Sequence, residues 1–144
     1  MNTMIWNDKT MSLGITFIDE QHKELLNIIN QLSTSIYSNT QKKDIFMIIN
    51  KLIDYANFHF TCEEELFNNL KYNKKDEHKN EHREFLNKFT KYHNQISNSE
   101  YLNQVEIIIS QETLIYLVDW FLHHIAGTDR IYAEIFIGKQ EPVK

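Results

Sequence analysis

The stretch DEQHKELLNIINQLSTSIY, Asp19 to Tyr37, together with Ile18 before it, carries apolar or histidine residues at 18, 22, 25, 29, 32 and 36. Steps of three and four place these positions on one stripe of an α-helix, the pattern of a helix that packs inside a bundle. One member of the stripe is out of character: His22 stands where an apolar side chain is expected.

The same anomaly recurs along the chain. Lys42 to Leu70 predicts a second helix with Phe46, Ile49, Ile53, Ala56, Phe60, Phe67 and Leu70 on its seam. Within it, HFTCEEEL, His59 to Leu66, sets His59 beside the seam and Glu63 in a gap of it. A third helix, about Lys74 to Ile96, has the stripe His78, His82, Phe85, Phe89, Tyr92, Ile96, so two histidines head an apolar seam. Between Ser97 and Ile109 the polar SNSEYLNQ reads as a loop, and VEIII either packs on the bundle or begins a helix. Ser110 is the expected N-cap of a fourth helix bearing Leu114, Leu117, Trp120, Phe121 and His124 on one side and running on to Gly138. The expected architecture is all-α: an up-down-up-down four-helix bundle over residues 19–138, preceded by an N-terminal arm, residues 1–18, within a single domain of residues 1–144. In alternating topology His22, His59, Glu63, His78, His82 and His124 all fall toward one end of the bundle.

Composition agrees with few, long helices. Three Gly and one Pro in 144 residues leave little turn punctuation. A net charge of -5 with scattered lysines argues against a nucleic-acid surface, which needs clustered cations to displace counterions from phosphate. The N-terminus lacks a basic segment followed by an apolar one, and no run of about eighteen apolar residues suggests a membrane span. One cysteine, Cys62, rules out an internal disulfide and suits a reducing compartment, so a cytoplasmic location is expected. Cys62 itself is expected to be a buried, inert thiol.

Burying an ionised carboxylate without a partner costs several kcal/mol or drives it neutral, so Glu63 on a core seam requires a partner. Histidines and carboxylates that interrupt four apolar seams at one level are most economically satisfied together by metal. Five histidines, His22, His59, His78, His82 and His124, with Glu63 and Asp129, are too many for one zinc and include no thiolate. A nitrogen-rich set with two carboxylates able to bridge suits a pair of first-row ions, most naturally iron, with manganese or zinc as alternatives. His124 and Asp129 are five residues apart, about 140° around a regular helix, so aiming both inward calls for a bulge or loosened turn near Gly127. His123 is expected to face solvent or bind a neighbour, and His93 lies too far along its helix to join the site.

With these residues assembled, the sequence closely resembles the bacterial hemerythrins over nearly its whole length. The likeness lies in Trp6, GITFIDEQH ending at His22, HFTCE ending at Glu63, HKNEH at 78 to 82, and HIAGTD from His124 to Asp129. The resemblance implies two irons per chain: one bound by His78, His82 and His124, the other by His22 and His59, with Glu63, Asp129 and an oxo or hydroxo group bridging. It implies reversible binding of O2, and of small anions, at the less filled iron, for storage, delivery or sensing, and it identifies no protein partner. Leu25, Phe60, Trp120, Phe121 and Ile125 are the expected O2-pocket wall, which excludes water. The alternative function is a di-iron enzyme that scavenges peroxide, nitric oxide or O2. Ferritin-like di-iron oxidases use carboxylate-rich sites with paired Glu-x-x-His motifs, and no Glu-x-x-His occurs here, which favours a binding protein over an enzyme.

Overall fold

A computed structural model describes residues 4–38, 41–96 and 99–140, without the side chains of 138–140. Every element in it is helical: α1 (Asp8–Met11), α2 (Thr16–Tyr37), α3 (Lys42–Leu70), α4 (Lys75–Gln95), α5 (Gln104–His123), a π-helical turn (His124–Asp129) and α6 (Arg130–Gln140). α2 packs against α3 and α5, and α4 packs against the same two, so the four long helices form a square. Their directions follow from single contacts. His22, early in α2, meets His59, late in α3; His78, early in α4, meets His124 just past α5. Adjacent helices are therefore antiparallel, the up-down-up-down arrangement read from the sequence.

The limits of three long helices differ from expectation by three residues at most, and each seam is buried as a stripe. In the first half of α3 the fully buried apolar positions are Ile45, Ile49, Leu52 and Ala56, while Phe46 and Ile53 flank them half-buried. α2 starts at Thr16 rather than Asp19 because the Asp19 carboxylate turns back to the preceding loop. Its oxygens accept from the Ser12 hydroxyl (2.6 Å) and the Leu13 N–H (2.8 Å). Gly14 has φ of +76°, and a side chain there would meet Ile137 Cδ1 at 3.1 Å. The arm is tied down: Arg130 donates to the carbonyls of Thr10 (3.2 Å) and Ser12 (3.4 Å), and Lys23 lies 5.4 Å over the Trp6 ring.

The fourth helix corrects the sequence reading. It begins at Gln104, and its N-cap is Asn103, not Ser110. Asn103 and Glu106 form a reciprocal capping box, the Asn103 side chain accepting from the Glu106 N–H (2.8 Å) and the Glu106 carboxylate from the Asn103 N–H (3.1 Å). Ser110 sits inside the helix, buried, donating to the Glu106 carbonyl and bonded to the Tyr92 hydroxyl. The VEIII segment is thus helical. Glu106 is also buried against Lys42 (2.9 Å), at the end of the bundle where both α3 and α5 begin.

Buried apolar residues form two clusters. The larger fills most of the bundle and includes Leu25, Phe60, Phe85, Leu117, Phe121 and Ile125. The smaller closes one end with Leu13, Ile15, Ile18, Leu66, Phe67, Leu70, Tyr72, Tyr132 and Ala133. Between them lies the polar layer.

Candidate metal centre

Each side chain of that layer is delivered by its helical position. His22 comes from the second turn of α2, His59 and Glu63 from one face of α3, and His78 and His82 from one face of α4, both pairs four residues apart. His124 and Asp129 stand at the two ends of the π-helical turn. Widening the turn by one residue carries position i+5 back toward the face of position i, which a regular α-helix could not do. Gly127 faces open space, so a side chain there would not obstruct the turn. All seven side chains are buried, none more than 3% exposed.

The ring nitrogens converge on one another. His22 Nε2 and His59 Nε2 are 3.0 Å apart, and His78 Nε2 and His124 Nε2 are 3.1 Å apart. Asp129 divides its oxygens between the two pairs: Oδ2 is 3.2 Å from His22 Nε2, while Oδ1 is 2.7 Å from His78 Nε2 and 3.0 Å from His124 Nε2. Glu63 Oε1 is 2.8 Å from His59 Nε2 and 3.5 Å from His82 Nε2. Despite these distances, both oxygens of Glu63 and of Asp129, and His82 Nε2, have no aligned hydrogen bond. Buried polar atoms normally have a partner, so lone pairs aimed at common points are the arrangement of a cation's ligands.

Two overlapping donor groups result. Glu63, His78, His82, His124 and Asp129 offer atoms that all lie within 4.8 Å of one another, as do His22, His59, Glu63 and Asp129. Donors held at about 2.1 Å from an ion and at right angles stand about 3.0 Å apart, against about 3.4 Å for tetrahedral ligands. The nitrogen pairs, at 3.0 and 3.1 Å, are close enough for each pair to share one ion. A donor set of nitrogen and oxygen without thiolate agrees with a first-row ion.

Electrostatics points the same way. Burial and the Asp129 charge push the Glu63 carboxyl up, yet His59 and His82 hold it below its ordinary value. Burial likewise opposes the charge on Asp129, and His124 first among its neighbours keeps it well below the usual carboxylate range. Two fully buried carboxylates thus stay ionised. Burial pushes the His82 imidazole down, toward the neutral form that binds metal.

Rings from both apolar clusters brace the histidines of the layer. Phe60 stacks on His82 at 3.9 Å and Trp120 on His124 at 4.3 Å, while Phe67 lies 4.5 Å and Tyr132 5.6 Å from His78. Of the five expected wall residues, Phe60 and Trp120 touch histidine rings of the layer. Leu25, Phe121 and Ile125 are buried in the same cluster as Phe60, and among the described residues Phe121 makes no ring contact with a ligand histidine. His123 is exposed and bonded to Asp119, as expected, and His93 packs edge-on against Phe46, away from the site. Cys62 is half-buried rather than buried, because the outer face of α3 carries it.

Four contributors were not read from the sequence. Gln21 accepts at 2.6 Å from His59 Nδ1, and Glu81 accepts at 2.8 Å from His124 Nδ1. The Thr128 hydroxyl donates to Glu81 (3.4 Å), and the fully buried Tyr132 ring lies 5.6 Å from that of His78. Gln21 and Glu81 each immediately precede a histidine of the layer, and Tyr132 follows Asp129 by three residues, spacings that gain meaning only once the partner helices are in place.

The family model described as the hemerythrin HHE cation binding domain matches residues 13–136. The chain belongs to the hemerythrin family. Among relatives, a bacteriohemerythrin of Clostridium acetobutylicum is 35% identical over 134 residues, 90% of this chain and 98% of that protein. A bacteriohemerythrin of Stenotrophomonas maltophilia is 29% identical, covering 93% of this chain and 82% of that protein. The myohemerythrin of Theromyzon tessulatum is 30% identical, covering 87% and 88%. A crystal structure of wild-type hemerythrin superposes with a TM-score of 0.77 at 25% identity, covering 93% of this chain and 98% of that one. The helical bundle and a His/Glu/Asp cluster suited to iron are thus hemerythrin features that this chain possesses. No described helix is long and apolar enough to cross a membrane.

Proposed function

We propose that the chain binds two iron ions and uses them to bind O2 reversibly as a cytoplasmic binding protein, not an enzyme. His78, His82 and His124 would hold one ion, His22 and His59 the other, and Glu63 and Asp129 would bridge. The observation that carries this reading is the pair of overlapping donor groups, three histidines against two, sharing both carboxylates. When bound, the iron pair supplies the electrons that reversible O2 binding requires. The chain's own residues fix the geometry and keep water out. The smaller apolar cluster closes one side of the layer and the larger one the other, with Phe60, Phe67, Trp120 and Tyr132 against the ligand rings. Leu25, Phe121 and Ile125 would complete the wall around the two-histidine position, which has one histidine fewer and so leaves room for one small ligand or anion.

The test is an absorption spectrum of the ferrous protein before and after air exposure and again after evacuation. A new band that disappears under vacuum over repeated cycles supports O2 carriage. Irreversible conversion on first exposure, or catalytic consumption of peroxide or nitric oxide, would overturn it in favour of the enzyme.

A further inference from the structure

Two of the five ligand histidines have a well-aligned side-chain partner at Nδ1, and the partners differ in charge. His59 donates to the neutral amide oxygen of Gln21 (2.6 Å), and His124 donates to the carboxylate of Glu81 (2.8 Å). Among the described residues, Nδ1 of His22 and of His78 has no hydrogen-bond partner, and Nδ1 of His82 lies 3.5 Å from Glu64 without alignment. Glu81 is itself anchored: Thr128, inside the π-helical turn, donates to its other oxygen (3.4 Å). The Glu81 side chain is 43% exposed and borders a cleft of about 260 Å³ with Glu84, Asp119 and Trp120, so hydration can help keep it charged.

A carboxylate that accepts from Nδ1 draws the proton toward itself and leaves more negative charge on the ring, making Nε2 a stronger donor than an amide partner does. We propose that Glu81 is a positioning residue whose charge, acting through His124, makes the three-histidine position hold its ion more tightly and at a lower reduction potential than the two-histidine position, where His59 leans on uncharged Gln21. This rests on the two-ion reading above. The consequence for O2 binding is a division of labour: a firmly held ion with a full set of ligands beside a more easily exchanged one that meets the small ligand.

The test uses the full iron-loaded chain and three variants. Glu81→Gln keeps an acceptor oxygen and removes the charge, Glu81→Ala removes both, and Gln21→Glu adds a charge to the other half. Iron release to a chelator and midpoint potentials by spectroelectrochemical titration are measured, with circular dichroism of each metal-free chain as the check on folding. Glu81→Gln should weaken the tighter ion by roughly 10- to 100-fold and raise the potential. Gln21→Glu should slow loss of the weaker ion and lower the potential. If Glu81→Gln matches wild type while Glu81→Ala does not, Glu81 only orients the ring and the charge proposal is wrong. Unchanged behaviour in all three variants overturns it too. A wild-type chain that takes up fewer than two irons removes the parent reading along with it, an outcome distinct from both.

Discussion

Burial alone would drive His124 toward its neutral form, but the Asp129 charge and the contacts with Asp129 and Glu81 raise its pKa to about 10 in the metal-free chain. A metal ion at Nε2 must displace that proton. The apparent affinity of the metal-free protein for cobalt(II) should therefore rise with pH by about tenfold per unit on this group's account between about pH 6 and 9. The rise should flatten above about 10, and binding should acidify an unbuffered solution. An affinity that does not change over that interval would show that His124 is already neutral. At Phe121, the second prediction concerns access. The ring is fully buried in the cluster that includes Phe60 and Ile125. Phe121→Ala should open a cavity at a cost of about 3 to 5 kcal/mol. In protein shown to be folded and fully metallated, it should speed both azide association with the ferric form and decay of the oxygenated form. Unchanged stopped-flow rates would mean that Phe121 is packing alone.

Among the elements, the π-helical turn is the one most tied to the site. Because a side chain at Gly127 would meet nothing within 4 Å, Gly127→Ala should leave metal content unchanged. It should leave stability unchanged or raise it by up to about 1 kcal/mol, as Ala suits helical backbone better than Gly. Lower metal content in that variant would mean that the glycine itself sets the turn. A second element-level prediction falls where α3 meets α4: Lys71 caps α3 with φ of 53°, a left-handed conformation that favours glycine. Lys71→Gly should stabilise the chain by a few tenths to about 1 kcal/mol, seen as a higher denaturation midpoint, and a lowered midpoint would contradict this. What the sequence made legible follows from the same elements. The stripes of α2, α3 and α4 showed where each helix buries its face, and the five-residue spacing of His124 and Asp129 called for a break in regular helix, which the π-turn supplies. α5 was misread at its start because Val105 and Ile107–Ile109 give it apolar residues nearly all round, which blurs periodicity. Ser110 then looked like a cap, while the true one at Asn103 lay inside a polar run. Gln21 and Glu81 escaped notice because a polar residue on a helix surface acquires a role only from the neighbour across the groove.

Taken whole, the molecule is a bundle whose core is divided by a layer of ionisable side chains. Without metal, that layer leaves both carboxylates and several imidazole nitrogens short of hydrogen bonds. Unsatisfied buried groups are costly, so metal binding and folding are coupled. A chain whose metal is present at a hundredfold excess over Kd gains about 2.7 kcal/mol. Removing metal with a chelator should thus lower Tm by roughly 5 to 10 °C for a domain of this size, and an unchanged Tm would show that the layer is stable without an ion. The central claim is that seven side chains from α2, α3, α4 and the π-helical turn hold two ions. An anomalous difference map recorded at the iron absorption edge from crystals of the loaded protein tests it most directly. Two peaks are predicted, one among His78, His82 and His124 and one between His22 and His59, with Glu63 and Asp129 reaching both. A single peak, or iron bound away from these residues, would contradict the account.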